Sequence, residues 1–225
     1  MEAVKNLMES FRVDQDAFYM GSTAILYIEM NMFAEAVRIL KSSNLHATKP
    51  TPEAYEMYLR DYLRSNKRML NASNTYEVRE LQELYKILCT LSNSWSDLKY
   101  VTRGLDILKE YDIANLQSYE SFFVAFNKSR IPRLEKASML VFEEMIQTDS
   151  KCKPSLLICD IMFSMWTSRK DESVVGVDNA LRVVKYMKTL NAKVPVLELY
   201  ETLLSKYSQC RDSVAALRCD EILSL

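Results

Sequence analysis

The sequence predicts an all-α protein, and three observations carry that expectation. Only three glycines and five prolines occur in 225 residues, too few for the tight turns of a β-rich fold. Leu, Met, Glu, Lys and Ala, all good helix formers, are plentiful. Apolar residues recur at steps of three and four, one face of a helix, along most of the chain.

The elements follow in order. The opening segment, MEAVKNLMESFRV, carries two glutamates and lacks the Arg- and Ser-rich character of a transit peptide, so no presequence is visible. Met20-Gly21 lies in a first helix, and Phe33, Ala36, Val37 and Leu40 line the second, which ends before Pro50. Thr51 then caps a helix with Pro52 in its first turn. That helix is expected to reach about Leu70, where NASN breaks it. Two helices near Tyr76–Leu91 and Asp97–Tyr111 come next. Tyr119-Glu120 opens another, followed by Ala137, Leu140, Val141 and Met145 on one stripe and by Pro154. Cys159-Asp160 marks a further helix, then Val177, Ala180, Leu181, Val184 and Met187 line one before Pro195. Tyr200, Leu203, Leu204 and Tyr207 line the next.

These elements repeat. Tyr-Glu recurs at residues 55–56, 119–120 and 200–201, with Cys159-Asp160 a chemical variant and Met20-Gly21 at the matching place. Gly21 to Glu56 is 35 residues, Glu120 to Asp160 is 40, and Asp160 to Glu201 is 41. Such a period in a helical chain predicts an α-solenoid of stacked antiparallel helical hairpins, eleven to thirteen helices in one domain over 1–225. The repeats fall near 16–51, 116–155, 156–196 and, in part, 197–225. The middle, 52–115, is irregular, because Glu56 to Glu120 is 64 residues, too long for one repeat and too short for two. Either an orphan helix interrupts the array or one repeat has gained a third helix. Ala36, Ala137, Ala180 and Ala216 are expected where paired helices approach most closely.

The segments EKASMLVFEEMIQTDSKCKPS and NALRVVKYMKTLNAKVPVLELYETLL resemble pentatricopeptide repeat (PPR) proteins. Tyr200-Glu201-Thr202-Leu203-Leu204 is similar to the family's first helix; Phe142-Glu143-Glu144-Met145 with Lys153-Pro154 is similar to its second helix and exit. The resemblance spans about two thirds of the chain and implies single-stranded RNA binding, each repeat meeting about one base. By this resemblance, the reading residues at the helix starts are Gly21, Glu56, Glu120, Asp160 and Glu201. Their repeat-end partners are Thr51, Asn115, Ser155 and Val196. Four of the five reading residues are acidic, where the family usually places a small amide or hydroxyl residue. A carboxylate can accept from cytosine N4, yet four in one groove repel phosphate.

Other chemistry is thin. Net charge is −1, so no strong overall field draws the chain to nucleic acid. Arg60, Arg64, Lys67 and Arg68 form one basic stripe, opposite Tyr55, Leu59, Tyr62 and Leu63, suited to phosphate or an acidic partner or simply to a solvated face. The single histidine, His46, has no ligand-spaced partners, and no Gly-rich phosphate loop occurs, so neither a metal nor another cofactor is expected and no enzyme activity. The five cysteines show no CxxC and read as reduced thiols. No apolar run reaches the ~20 residues of a membrane span. Trp166 reads as core, and Trp95 as a residue that could stack on a base. Through the resemblance the chain is expected in the mitochondrial matrix, acting in mRNA stability, processing or translation. Its expected partners are proteins of an organellar RNA or translation complex, with direct binding of single-stranded RNA as the second reading.

Overall fold

In a computed structural model the described residues are 17–42, 50–67, 75–92, 95–129, 135–147, 152–168, 174–190 and 196–210, with 215, 218, 219 and 222 beyond them. Among these the chain is all-α, with ten helices and no strand, 87% helical. In chain order the helices are α1 (Ala17–Glu29), α2 (Phe33–Ser42), α3 (Pro52–Ser65), α4 (Thr75–Leu91) and α5 (Trp95–Glu110). They continue with α6 (Leu116–Ser129), α7 (Glu135–Gln147), α8 (Leu156–Thr167), α9 (Val174–Thr189) and α10 (Val196–Gln209). Two compact units divide the chain, Met1–Ala114 and Asn115–Leu225. Their boundary falls where the sequence places the end of the irregular stretch.

In the first unit each helix packs on the next, and α1 packs also on α3 and α3 on α5. The α1–α2 turn is closed by a left-handed Asn31 (φ 57°), with Met32 N–H donating to the Tyr27 carbonyl at 2.8 Å and Asn31 N–H to Ile28 at 2.9 Å. This six-to-one and five-to-two pairing satisfies the last carbonyls of a helix, and Asn tolerates the conformation better than most residues. An equivalent turn ends α5, with Asp112 at φ 55° and Ile113 N–H donating to Leu108 O at 3.0 Å. The edge of the Phe33 ring meets Tyr58 and Tyr62, themselves stacked 5.5 Å apart, and the Tyr55 hydroxyl donates to Leu40 O at 2.9 Å. Lys41 of α2 pairs with Glu80 of α4.

Helix α3 ends at Ser65, about five residues short of its expected end. At the C-cap Asn66 leaves helical geometry (φ −108°, ψ 15°), and its side-chain amide shares with its own backbone N–H the Tyr62 carbonyl, each at 3.0 Å. Residues 68–74, including Arg68 and the NASN stretch, lie outside the described residues.

Gly104 lets α5 settle on α4. A Cβ there would lie 2.9 Å from Cε2 of Tyr85. Tyr85 is fully buried and its hydroxyl donates to Val101 O at 3.1 Å, so the ring cannot swing aside. Gly104→Ala gains about 1 kcal/mol of helix propensity, but overpacking costs ~1–3 kcal/mol. The expected net result is a lowered urea midpoint; an unchanged or raised midpoint would show that α5 can back away freely.

In the second unit α6 packs on α7 and α8, α8 on α7, α9 and α10, and α9 on α10. Val177, Ala180, Leu181, Val184 and Met187 are all buried, as their stripe predicts, and so is Trp166. The phase of α7 differs from expectation. Ser138, Met139, Phe142 and Met145 face inward, whereas Leu140 is 67% exposed and Ala137 only half-buried. Phe142 sets the phase: its ring meets the edge of Tyr186 on α9 at 5.7 Å, and Glu143 beside it takes an ion pair from Arg182 at 3.0 Å. Ala36 is fully buried as expected, and Ala216 lies outside the described residues, next to a buried Ala215.

Candidate functional site

The repeat-end residues are helix starts. Thr51 occupies the N-cap of α3 in extended conformation, without a side-chain capping bond. The Asn115 carboxamide oxygen accepts from Ser118 N–H at 2.9 Å ahead of α6, and the Ser155 hydroxyl accepts from Ile158 N–H at 3.4 Å ahead of α8. Val196 is instead the first residue of α10. Asparagine and serine therefore stand at two of these positions for a local reason: each has an oxygen that accepts an orphan N–H of the helix it starts.

Two of the sequence-predicted pairs are brought side by side. A Cβ on buried Gly21 would lie 2.9 Å from Thr51 Oγ1 and 3.1 Å from Thr51 N, so α1 and α3 meet closely at this point. Ser155 Oγ donates to Glu120 Oε1 at 2.7 Å, linking α8 to α6. Asp160 and Glu201 stand exposed on α8 and α10. Four residues before each second-unit carboxylate lies an exposed leucine: Leu116 before Glu120, Leu156 before Asp160, and Leu197 before Glu201. The sequence reading overlooked these leucines because an apolar residue on a helix is assigned to the core by default; their common offset from the carboxylates is the signal that identifies them.

Glu56 behaves differently from its counterparts. It is only 4% exposed, so it is not presented to solvent as a reading residue would be. Burial pushes its carboxyl above the usual carboxylate range, and Arg60 and Arg103 pull it back. Arg60 Nη1 lies 3.5 Å from Glu56 Oε1, the intrahelical pair that i,i+4 spacing allows, and Arg60 also donates twice to Asp61, at 3.0 and 3.3 Å.

Beside Glu56 runs an open groove of about 430 Å³ between α3 and α5. On one wall stand Arg60 and Arg64; Arg103, Ile107 and Tyr111 form the other, spaced at every fourth residue, with Asp106 and Glu110 between them. Lys67, just past the end of α3, reaches over the Tyr111 ring at 5.6 Å. Three members of the expected basic stripe thus gather at one groove. Arg103 and Tyr111 were not foreseen, since the face that α5 turns to α3 depends on tertiary packing.

Among the described residues no group of three His, Cys, Asp or Glu could hold a metal ion, and no helix is long and apolar enough to cross a membrane. His46 lies outside the described residues, as does the side chain of Trp95. None of the five cysteines is in a disulfide. Burial pushes the Cys89 and Cys159 thiols up to about 12, and the Tyr62 and Tyr119 phenols to about 12 as well. The folded protein holds these protons longer than the unfolded chain, which releases them near ~8.5 for thiols and ~10 for phenols. Their contribution to stability is therefore complete below about pH 8.5 and is lost as pH rises towards 12. Urea midpoints should fall steadily between pH 8.5 and 11, as ordered by this linkage; a flat profile would contradict the burial of these groups.

No protein-family model matches the chain, and no curated protein matches it either.

Proposed function

We infer that the chain is a degenerate PPR-like α-solenoid that works without catalysis, as an adaptor docking other proteins within a mitochondrial RNA-handling or translation assembly. Packing of each helix on the next within its unit, with α1 on α3, α3 on α5, α6 on α8 and α8 on α10, supports the stacked-hairpin arrangement. Small-angle scattering should then give a radius of gyration clearly above the ~17 Å of a compact globule of this length.

The observation that carries the adaptor reading is the Glu120–Ser155 pair. A carboxylate stands where the resemblance places a base-reading side chain, and it is already engaged by its own repeat-end partner. Asp160 and Glu201 add exposed negative charge in the same unit, each one turn from an exposed leucine. An edge of leucines and carboxylates repels phosphate and suits a basic, amphipathic protein segment.

Selection from a random single-stranded RNA pool tests the reading. At physiological salt the unaltered chain should enrich no sequence. Replacing Glu120, Asp160 and Glu201 together by asparagine should raise non-specific RNA affinity, because the repulsion is gone, and weaken crosslinking to protein partners. Enrichment of one RNA sequence by the unaltered chain would overturn the adaptor reading in favour of direct RNA recognition.

A further inference from the structure

Helix α5, in the irregular stretch, builds a groove with α3. At one end of this groove Glu56 is sunk and its charge is answered by Arg60, which Asp61 also holds. At the other end Lys67 reaches over the Tyr111 ring. Between these ends lie Arg64 and Arg103, both exposed. Arg64 makes no hydrogen bond or ion pair with another described residue, and Arg103 acts on Glu56 only through space. Guanidinium forks with no described residue bonded to them are suited to planar, bidentate recognition of a carboxylate or phosphate.

The neighbouring charges decide between those anions. Glu56, Asp106 and Glu110 are interleaved with the arginines along the groove. A continuous phosphate backbone would have to lie against those carboxylates, whereas a peptide can place single carboxylates at the arginines and avoid them. Ile107 and Tyr111 offer apolar surface between the charges, which a nucleic-acid backbone cannot use and a peptide side chain can. A volume of about 430 Å³ is within the ~300–1,000 Å³ of ligand clefts.

We propose that the α3–α5 groove docks a short acidic segment of a protein partner, with carboxylates on Arg64 and Arg103 and an apolar side chain against Ile107 and Tyr111. This rests on the adaptor reading in one respect, that the occupant is a protein.

The test is selection from a displayed random-peptide library on the full chain, followed by binding of the recovered peptides to an Arg64→Glu/Arg103→Glu variant. Both side chains are exposed, and a thermal melt checks that the variant folds; Arg64→Ala is the milder substitute. The expected result is a set of peptides carrying Asp or Glu beside an apolar residue, whose affinity falls with salt and drops roughly tenfold or more in the variant. Exchanging the peptide's acid for lysine should restore binding to the charge-reversed groove. Recovery only of peptides that bind both proteins equally, or of none, would overturn the groove proposal while leaving the adaptor reading to its own test. Arg64-dependent binding of an oligouridylate in place of acidic peptides would overturn both.

Discussion

Truncating Phe122 to alanine is expected to destabilise the protein by ~3–5 kcal/mol, the usual cost of removing a buried aromatic ring. Phe122 is fully buried in α6, its ring 4.2 Å from Phe126 and edge-on to Phe123 at 5.3 Å. Deletion removes both the transferred surface and the contacts of two neighbouring rings, and a rigid aromatic cluster collapses poorly into the space left. Urea unfolding followed by circular dichroism measures the effect. Leu140→Ala is the control: that side chain is mostly exposed and should change stability by no more than about 0.5 kcal/mol. Equal losses for the two variants would mean that the inward face of α7, or the burial of α6, is wrongly assigned.

Ala180→Leu has the second largest expected effect, a loss of ~1–3 kcal/mol by overpacking. Ala180 is fully buried in α9, between Val177 and Val183–Val184, which are buried as well. Three added carbons have no free volume to occupy, so neighbours must leave their rotamers or the helices must part. The half-buried Ala137 should accept leucine at smaller cost. A melting temperature unchanged by Ala180→Leu, or a larger drop from Ala137→Leu, would reverse the assignment of which alanine lies at the seam.

Most of the helical architecture could be read from the sequence, because glycine scarcity and apolar periodicity are local signals that tertiary packing rarely cancels. Helix α9 is the clear case: its stripe is bounded by Asp178, Asn179, Arg182 and Lys185, so only one phase is apolar, and it is the buried one. Helix α7 shows the opposite. Its run SMLVFEEM offers two overlapping stripes, and the periodic reading chose the one containing Leu140. Phe142 decided otherwise, and a serine took a core place that no hydrophobic pattern would assign it. The end of α3 was missed because the turn of Asn66 out of helical geometry is a conformational event that a propensity argument does not reach.

The candidate sites divide in the same way. Repeat starts could be found from the recurring dipeptide and its spacing; their repeat-end partners came from the family resemblance, and two of those pairs do meet. What the period could not show is burial, so Glu56 was grouped with Glu120 although it is sunk beneath Arg60. The groove beside it draws on α5, from the irregular stretch, and its arginines come from helices joined only by folding. The basic stripe on α3 could be read; its opposing wall could not.

The double use of Ser155, as helix cap and as partner of Glu120, constrains how such a chain can change over time. Ser155 serves two masters, starting α8 and holding Glu120. A mutation that retunes what this position presents to a partner also weakens the start of the following helix, by ~0.5–2 kcal/mol where the capping oxygen is lost. The alphabet open to drift is thus narrowed to serine, threonine, asparagine and aspartate, whatever the partner prefers. Innovation in this protein is freer at Asp160, Glu201 and the exposed leucines, where no helix depends on the side chain for its beginning.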